Sequence, residues 1–441
     1  MTQYLDRIFK LQRHGTSVST EITAGLTTFA TMSYILAVNP AILGAAGMDK
    51  AAVVTVTALT AAIGSLLAAL FTNMPLGLAP AMGSNTYFAI LVCVGMGIKW
   101  QEALALVFYN GLFFLFISVT GLRKKLIVGV PRAMQIGLQA GIGMFIAFFG
   151  LQKSGLIVGD KNTLVTCGDI SSPEVLFALF GIGLVAVLTC KKFRPAIITT
   201  IAVLTVVAFF ATNSAGEKIA QIPSAIFSMP HGISETFMQL DWGYPFRDFN
   251  RALPIIIVLL FLDLFDTLAT VVALGRRTGL MKEDGHMDKI GRALAADAGT
   301  TIIGSMLGTS TVCVYVESAS GIEAGGRTGL TGITVAVLFL LSLFLAPLIN
   351  AVPAEATAPA LVIVGIMMLQ GLKDLKFSDF AQAFPAIFCM MTVAFSFKIS
   401  EGFAFGIIAY VLLFVASKRA RQINGATWFL FVIMCLFLAF C

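Results

Sequence analysis

Two aspartates lie in the middle of a long apolar run near residues 253–275. Spacings of three and four place four polar side chains on one face of a helix: Asp263, Asp266, Thr267 and Thr270. A carboxylate inside a membrane helix costs roughly 2.5–3.5 kcal/mol on insertion scales, so we expect it to face a cavity or other helices. There it can accept hydrogen bonds from a ligand and exchange a proton. The alternative interpretation is a hydrogen-bonded clamp between helices.

Two further stretches combine polar side chains with residues that interrupt helices. Glycine, serine, threonine or proline breaks the apolar runs near 79–95 and 311–324. We predict a short strand followed by a half-helix in each stretch, since the β-branched residues at 311–316 favour an extended chain. Paired breaks of this kind are typical of ligand sites in membrane transporters, where helix N-termini present free N–H groups. Glu317 lies at the second break, although the same carboxylate can merely complement a helix dipole.

The sequence lacks the common patterns of catalysis and metal binding. The three histidines lie outside the apolar runs, and no phosphate-binding loop, nucleophile elbow or His-Glu-x-x-His motif occurs. The seven cysteines are scattered without the spacing of a metal site or a redox pair. We therefore expect no bound metal, no organic cofactor and no enzymatic activity. A membrane receptor that does not transport its ligand is an alternative interpretation. Asp297 is interpreted as a structural residue.

The composition is that of a membrane protein. Hydrophobic residues make up 58% of the 441 residues and charged residues 12%, and the mean hydropathy is +0.92. A soluble fold of this size cannot bury so much apolar surface, whereas a lipid bilayer covers it. Runs of sufficient length predict an all-α polytopic protein with fourteen transmembrane segments, numbered spans 1 to 14, near 22–43, 50–72, 79–95, 101–120, 133–150, 173–190, 195–212, 253–275, 291–307, 311–324, 328–350, 358–372, 383–397 and 401–417. A fifteenth run, 426–441, either spans the membrane or lies in its interface.

The positive charges orient these spans. With the N-terminus in the cytoplasm, 21 of the 29 lysines and arginines fall on the cytoplasmic side and 8 on the outside. An excess of positive charge in cytoplasmic loops is the rule for membrane proteins, so we predict cytoplasmic loops at 123–132 and 276–290. The basic residues of the cytoplasmic loops explain the net charge of +6. The charge therefore does not indicate a nucleic-acid partner, and we expect none.

The spans divide into two sets of seven. The predicted regions are a cytoplasmic arm, a first repeat, an external linker, a second repeat and a C-terminal tail, at 1–21, 22–212, 213–252, 253–417 and 418–441. A unit of seven spans has its ends on opposite sides of the membrane, so its second copy inserts upside down, as in many secondary transporters. Asn85 and Glu317 are 232 residues apart, and so are Thr31 and Asp263.

Seven short motifs give the sequence a specific resemblance. They lie at 27–40, 77–85, 265–267, 291–300, 308–312, 317–321 and 324–331, and include Gly-Leu-Ala-Pro-Ala-Met-Gly-Ser-Asn, Phe-Asp-Thr and Glu-Ser-Ala-Ser-Gly. The chain resembles the nucleobase–cation symporter family, in its azaguanine-permease-like branch. The resemblance implies two inverted repeats arranged as a core of spans 1–4 and 8–11 and a gate of spans 5–7 and 12–14. It also implies a homodimer in the cell membrane.

The resemblance also implies roles for individual residues. The substrate-binding residues would be Asp263, Glu317, Asn85, Thr86 and Ser318, and proton coupling would fall to Asp266 together with Asp263. Ala269 departs from the glycine that the family places after Phe-Asp-Thr, which bears on substrate preference. The implied function is import of a purine base (guanine, hypoxanthine or adenine) by proton symport, with alternating access around a mid-membrane site. The alternative is a carrier or channel of the same fold for another small solute or an anion, although Glu317 would repel anions.

Overall fold

A computed structural model describes residues 2–120, 130–160, 163–193, 195–214, 216–223, 225–277, 289–396 and 399–440. The protein is mostly helical, with about 72% of its residues in helices. Most of the two predicted cytoplasmic loops, at 123–132 and 276–290, lies outside the described residues.

The first half of the chain contains nine helices among its described residues. They are α1 (Thr2–Phe9), α2 (Val18–Met32), α3 (Ile35–Leu43), α4 (Lys50–Thr72), α5 (Met82–Thr86), α6 (Trp100–Thr120), α7 (Arg132–Lys153), α8 (Pro173–Cys190) and α9 (Ala196–Ala208). A π-helix, Tyr87–Gly95, continues α5. The first long helix begins within the predicted cytoplasmic arm, because Ser17 caps it by accepting a hydrogen bond from the Thr20 N–H.

The second half contributes ten more helices in the part that is described. They are α10 (Tyr244–Arg247), α11 (Phe249–Arg277), α12 (Ile290–Leu307), α13 (Ser318–Glu323), α14 (Gly329–Ser342), α15 (Ala346–Asn350), α16 (Ala354–Met368), α17 (Phe380–Ser396), α18 (Ile399–Ala416) and α19 (Gly425–Phe440). Seven helical stretches of the described chain are long and apolar enough to cross a membrane, and four more are apolar but shorter. The chain is therefore a multi-pass membrane protein, and the count of fourteen spans stays a prediction.

Two short strands lie in the interrupted stretches. β1 (Leu78–Pro80) and β4 (Val312–Val314) pair antiparallel and are fully buried. β1 leads into the half-helix α5, and β4 leads into the half-helix α13. Because the two strands pair, the two interrupted stretches meet inside the protein. Ala79 pairs with Cys313, and Pro80 pairs with Val312, which is 232 residues further along the chain, the same offset that separates Asn85 from Glu317. A separate hairpin, β2 (Ile157–Asp160) with β3 (Leu164–Cys167), is exposed.

The long helices pack into two groups. In the core, α14 packs against α2 and α4, and α12 packs against α4 and α6, while α11 lies on α6 and α12. In the gate, α7 packs against α16, α17 and α18, and α8 packs against α9 and α16. Contacts between the groups are sparser and involve mainly α3 with α16, α2 with α9, α11 with α18, and α5 with α7. The core contains both broken segments and the acidic helix α11, so it carries most of the predicted site.

Candidate functional site

A small cavity lies where the core meets the gate. Its core wall comes from α5 and α11, and its gate wall comes from α7 and α16. The lining residues are Gly83, Ser84, Phe261, Leu262, Asp266, Gln135, Leu138, Gln139, Ile142 and Met368. A Cβ placed on Gly83 would lie 3.5 Å from Ile142 and 3.8 Å from Met368, which is ordinary contact distance across the boundary. None of these ten lining residues is positively charged. The acidic group of the cavity is therefore not neutralised by its own wall.

The two aspartates of α11 have different surroundings. Asp266 is partly exposed and lines the cavity. Asp263 is fully buried, and each of its carboxylate oxygens already accepts a hydrogen bond. Ser84 Oγ donates to Oδ1 at 3.1 Å, and Asn110 Nδ2 donates to Oδ2 at 2.6 Å. Asp263 therefore ties α11 to α5 and α6, the arrangement that the clamp interpretation describes.

Glu317 is held at the second break. It occupies the N-cap position of α13, is partly exposed, and accepts a hydrogen bond of 2.7 Å from the Tyr34 hydroxyl. Tyr315 packs near Tyr34, with ring centroids 6.4 Å apart, and donates its hydroxyl to the Pro80 carbonyl at 2.7 Å. The tyrosines thus fix the position of Glu317 relative to the strand pair.

The other predicted binding residues have internal partners. Thr86 donates to the Met82 carbonyl at 2.8 Å, and Ser318 Oγ accepts from the Gly77 N–H at 2.9 Å. Asn85 is buried and donates to Asn39 Oδ1 at 2.5 Å, while its own side-chain oxygen has no hydrogen-bond partner among the described residues. The structure therefore brings Asp266 and Glu317 to accessible positions and places Asp263, Asn85, Thr86 and Ser318 in the supporting framework.

The structure also shows site residues that the sequence reasoning missed. Gln135 and Gln139 lie one turn apart on α7 and line the cavity on the side opposite Asp266. Two glutamines four residues apart in an apolar run indicate that both amides lie on the same face of a helix. Asn110 on α6 is a buried amide in an apolar helix, and its importance follows from its bond to Asp263. Tyr34 could not have been singled out, because its partner Glu317 is 283 residues away.

A third acid lies behind the site. Asp297 on α12 is fully buried and accepts a hydrogen bond from the Thr267 hydroxyl through Oδ2, while its Oδ1 has no partner among the described residues. This bond joins α11 to α12, as the structural interpretation of Asp297 expects.

Comparison with known proteins identifies the family. The profile of the permease family matches residues 19–405. The chain belongs to the permease family. It is 38% identical to the adenine permease AdeQ of Escherichia coli over 421 residues, which cover 95% of this chain and 93% of that protein. It is also 38% identical to the guanine/hypoxanthine permease PbuG of Bacillus subtilis over 441 residues, covering 98% of this chain and 99% of that one. These matches confirm the family predicted from the motifs.

The fold of this permease is found in a solved structure. The transmembrane domain of the cyanobacterial bicarbonate transporter BicA superposes with a TM-score of 0.66, covering 88% of this chain and 97% of that one. The two sequences are 19% identical, so the likeness concerns the fold alone. It confirms the predicted fold class at the level of a helical transporter fold.

Proposed function

We propose that this permease imports purine nucleobases by proton symport. The proposal is supported by relatives of nearly the same length whose names specify adenine in one case and guanine and hypoxanthine in another. Its basis in the structure is two partly exposed acids of the core: Asp266, which lines the cavity between core and gate, and Glu317, which lies at the second break. Guanine offers adjacent N1–H and N2–H donors that one carboxylate can accept together, while hypoxanthine offers N1–H and adenine offers N6–H to a single acceptor.

The geometry favours a particular division of labour between the acids. Asp266 lines the cavity. Glu317 accepts the hydrogen bond from Tyr34 through one carboxylate oxygen, which leaves its other oxygen for a ligand. We therefore propose that these two acids accept hydrogen bonds from the base. Asp263 would have to release Ser84 or Asn110 before it could bind a ligand, so its proposed role is to hold α11 in position.

Proton coupling follows from the chemistry of the cargo. A carboxyl group that takes up a proton outside and releases it inside moves one charge together with a neutral base. One charge is worth about 2.3 kcal/mol per 100 mV of membrane potential, which favours accumulation by roughly 50-fold. Because core and gate pack sparsely against each other, we propose that they move relative to one another and open the cleft to each side in turn.

Orientation and assembly complete the proposal. The bias of 21 cytoplasmic to 8 external lysines and arginines supports a cytoplasmic N-terminus in the cell membrane. A homodimer is proposed from the family resemblance.

Uptake by proteoliposomes tests the proposed function. Vesicles containing the purified protein should accumulate labelled hypoxanthine or adenine when the outside is acidified, and a protonophore should abolish the accumulation. Uptake driven by a sodium gradient and indifferent to the proton gradient would contradict proton coupling. Uptake of bicarbonate with no uptake of any purine would instead favour the anion carrier.

A further inference from the structure

The gate wall of the cavity contains two carboxamides with different surroundings. Gln135 and Gln139 both line the cavity from α7, opposite Asp266. Gln135 Nε2 donates to the Val130 carbonyl at 2.8 Å, so this amide is engaged at the start of its own helix. For the Gln139 carboxamide, no hydrogen-bond partner is found within the described part of the chain. Gln139 is therefore the amide on this wall with all of its hydrogen-bonding groups unengaged by the described residues, whereas Gln135 has one N–H committed to its own helix.

The Gln139 side chain lies beside the turn that follows α16. Its Oε1 lies 3.7 Å from the point that a Cβ on Gly371 would occupy, so the amide is backed by the turn that follows α16. The side chain is half-buried. A half-buried amide without a partner gives up part of its hydration and regains hydrogen bonds when a polar ligand arrives. This makes Gln139 a site for a ligand edge that carries both donors and acceptors.

We propose that Gln139 reads the C6/N7 edge of a bound purine and lets one site take both 6-amino and 6-oxo purines. This inference rests on the proposed function. Adenine offers a donor at N6 and an acceptor at N7, whereas guanine and hypoxanthine offer acceptors at O6 and N7. A carboxamide carries one acceptor oxygen and two N–H donors. Rotation about the last side-chain torsion exchanges them, so the same residue serves either edge.

The acids of the core offer hydrogen-bonding groups that differ from those of Gln139. Asp266 and Glu317, when ionised, can only accept hydrogen bonds. They suit the donors of the base and cannot pair with O6 or N7. While both acids are ionised, a donor to O6 has to come from the opposite wall, where the Gln139 carboxamide has both of its N–H donors unengaged within the described chain.

The substitution Gln139→Glu tests the proposal, because it keeps the shape of the side chain and removes its donors. Adenine keeps its N6–H bond, whereas hypoxanthine then faces a carboxylate with two acceptors. Uptake of labelled adenine and labelled hypoxanthine would be measured on the same proteoliposomes, so that the ratio does not depend on the amount of folded protein. We expect the ratio of kcat/KM for adenine to that for hypoxanthine to rise about 10- to 100-fold.

Two further variants complete the test. Gln152→Glu makes the same change on an exposed part of the same helix and should leave the ratio as in the parent. Gln139→Leu removes both donor and acceptor and should lower the uptake of both bases. An unchanged ratio in Gln139→Glu, or equal loss of both bases, would overturn the role of Gln139, and so would a parent that transports one class of purine alone. A parent that transports no purine would instead overturn the proposed function.

Discussion

The core and the gate of this permease are stabilised in different ways. In the core, three acidic side chains are fully buried, Glu21, Asp263 and Asp297, and each accepts hydrogen bonds from neighbouring segments. In the described part of the gate, between 132–208 and 354–416, no charged residue is buried, and the buried polar residues are Ser154, Thr200, Thr205 and Thr357. The gate helices instead approach closely through glycines. At Gly143, an added Cβ would lie 2.7 Å from the Gly365 carbonyl oxygen.

The core and the gate meet two different physical requirements. Hydrogen bonds in a low-dielectric interior are stronger than in water, and those to the three buried acids fix the arrangement of the core helices. The core therefore holds the acids and the broken segments in a defined geometry. Packing of small residues lets helices associate in lipid without polar contacts, so the gate is held together as a separate body. Between the two lies a sparsely packed boundary that contains the cavity, so movement of the core relative to the gate would break few contacts there.

The largest expected effect comes from the buried carboxylate of Glu21. It accepts from the N–H groups of Arg327 and Thr328 at 2.9 and 3.2 Å, and from the Thr331 N–H and hydroxyl at 3.2 and 2.5 Å. Glu21→Ala leaves these donors unpaired, and hydrogen bonds to a charged group contribute about 1.5–3 kcal/mol each. We expect a loss of about 3 kcal/mol or more, seen as a lower thermal midpoint in detergent.

Two matched variants sharpen this prediction. Glu21→Gln keeps one acceptor and should lose less than Glu21→Ala. At the end of the gate, the partly exposed Asp379 pairs with Arg419 at 2.8 Å, and Asp379→Asn should lower the midpoint least because solvent screens such pairs. If Glu21→Ala melts like the parent, the buried network does not stabilise the core.

A smaller effect is expected at Asn110. Its amide donates to Asp263 at 2.6 Å, and Asn110→Leu removes a hydrogen bond to a buried acid, at a cost of about 1.5–3 kcal/mol. The thermal midpoint should fall, whereas the affinity for hypoxanthine measured by calorimetry on the folded fraction should stay within about 3-fold of the parent. Loss of binding at an unchanged midpoint would place Asp263 in direct contact with the base.

An effect smaller than that of Glu21→Ala is expected from overpacking the gate. Gly143→Ala inserts a methyl group against the Gly365 carbonyl and the Met368 Cβ, each 2.7 Å from the new atom. Overpacking of this kind costs about 1–3 kcal/mol, which should lower the thermal midpoint. Gly159→Ala in the exposed hairpin has nothing within 4 Å of its new Cβ and serves as the control. Equal midpoints for the two variants would show that the gate yields more easily than its close backbone contacts imply.

Much of the architecture could be predicted from hydropathy. Apolar runs indicated a multi-pass membrane protein, and the motifs indicated the permease family; both are confirmed. The pairing of β1 with β4 was beyond such reasoning, because it depends on contacts between residues 232 to 236 positions apart. The offset of 232 in the sequence relates corresponding positions of the predicted repeats and does not by itself predict which residues pair.

The site was predicted less completely than the fold. The spacing of Asp263 and Asp266 correctly placed both on one side of a helix, but three residues along a helix leave the two side chains about 60° apart around its axis. That rotation turns one acid toward Ser84 and Asn110 and the other toward the cavity. Side chains from other spans determine which aspartate is hydrogen-bonded inside the core and which lines the cavity, so the sequence of one helix does not predict it.

The most direct test of this account is calorimetric binding of hypoxanthine to the purified parent and to Asp266→Asn. The amide keeps the size of the carboxylate but turns one acceptor into a donor, so it leaves a buried polar group unpaired at about 1–3 kcal/mol. We predict binding about 5- to 150-fold weaker than in the parent, with an unchanged thermal midpoint. If Asp266→Asn binds hypoxanthine as tightly as the parent, the base does not lie in the cleft between core and gate, and the proposed site is wrong.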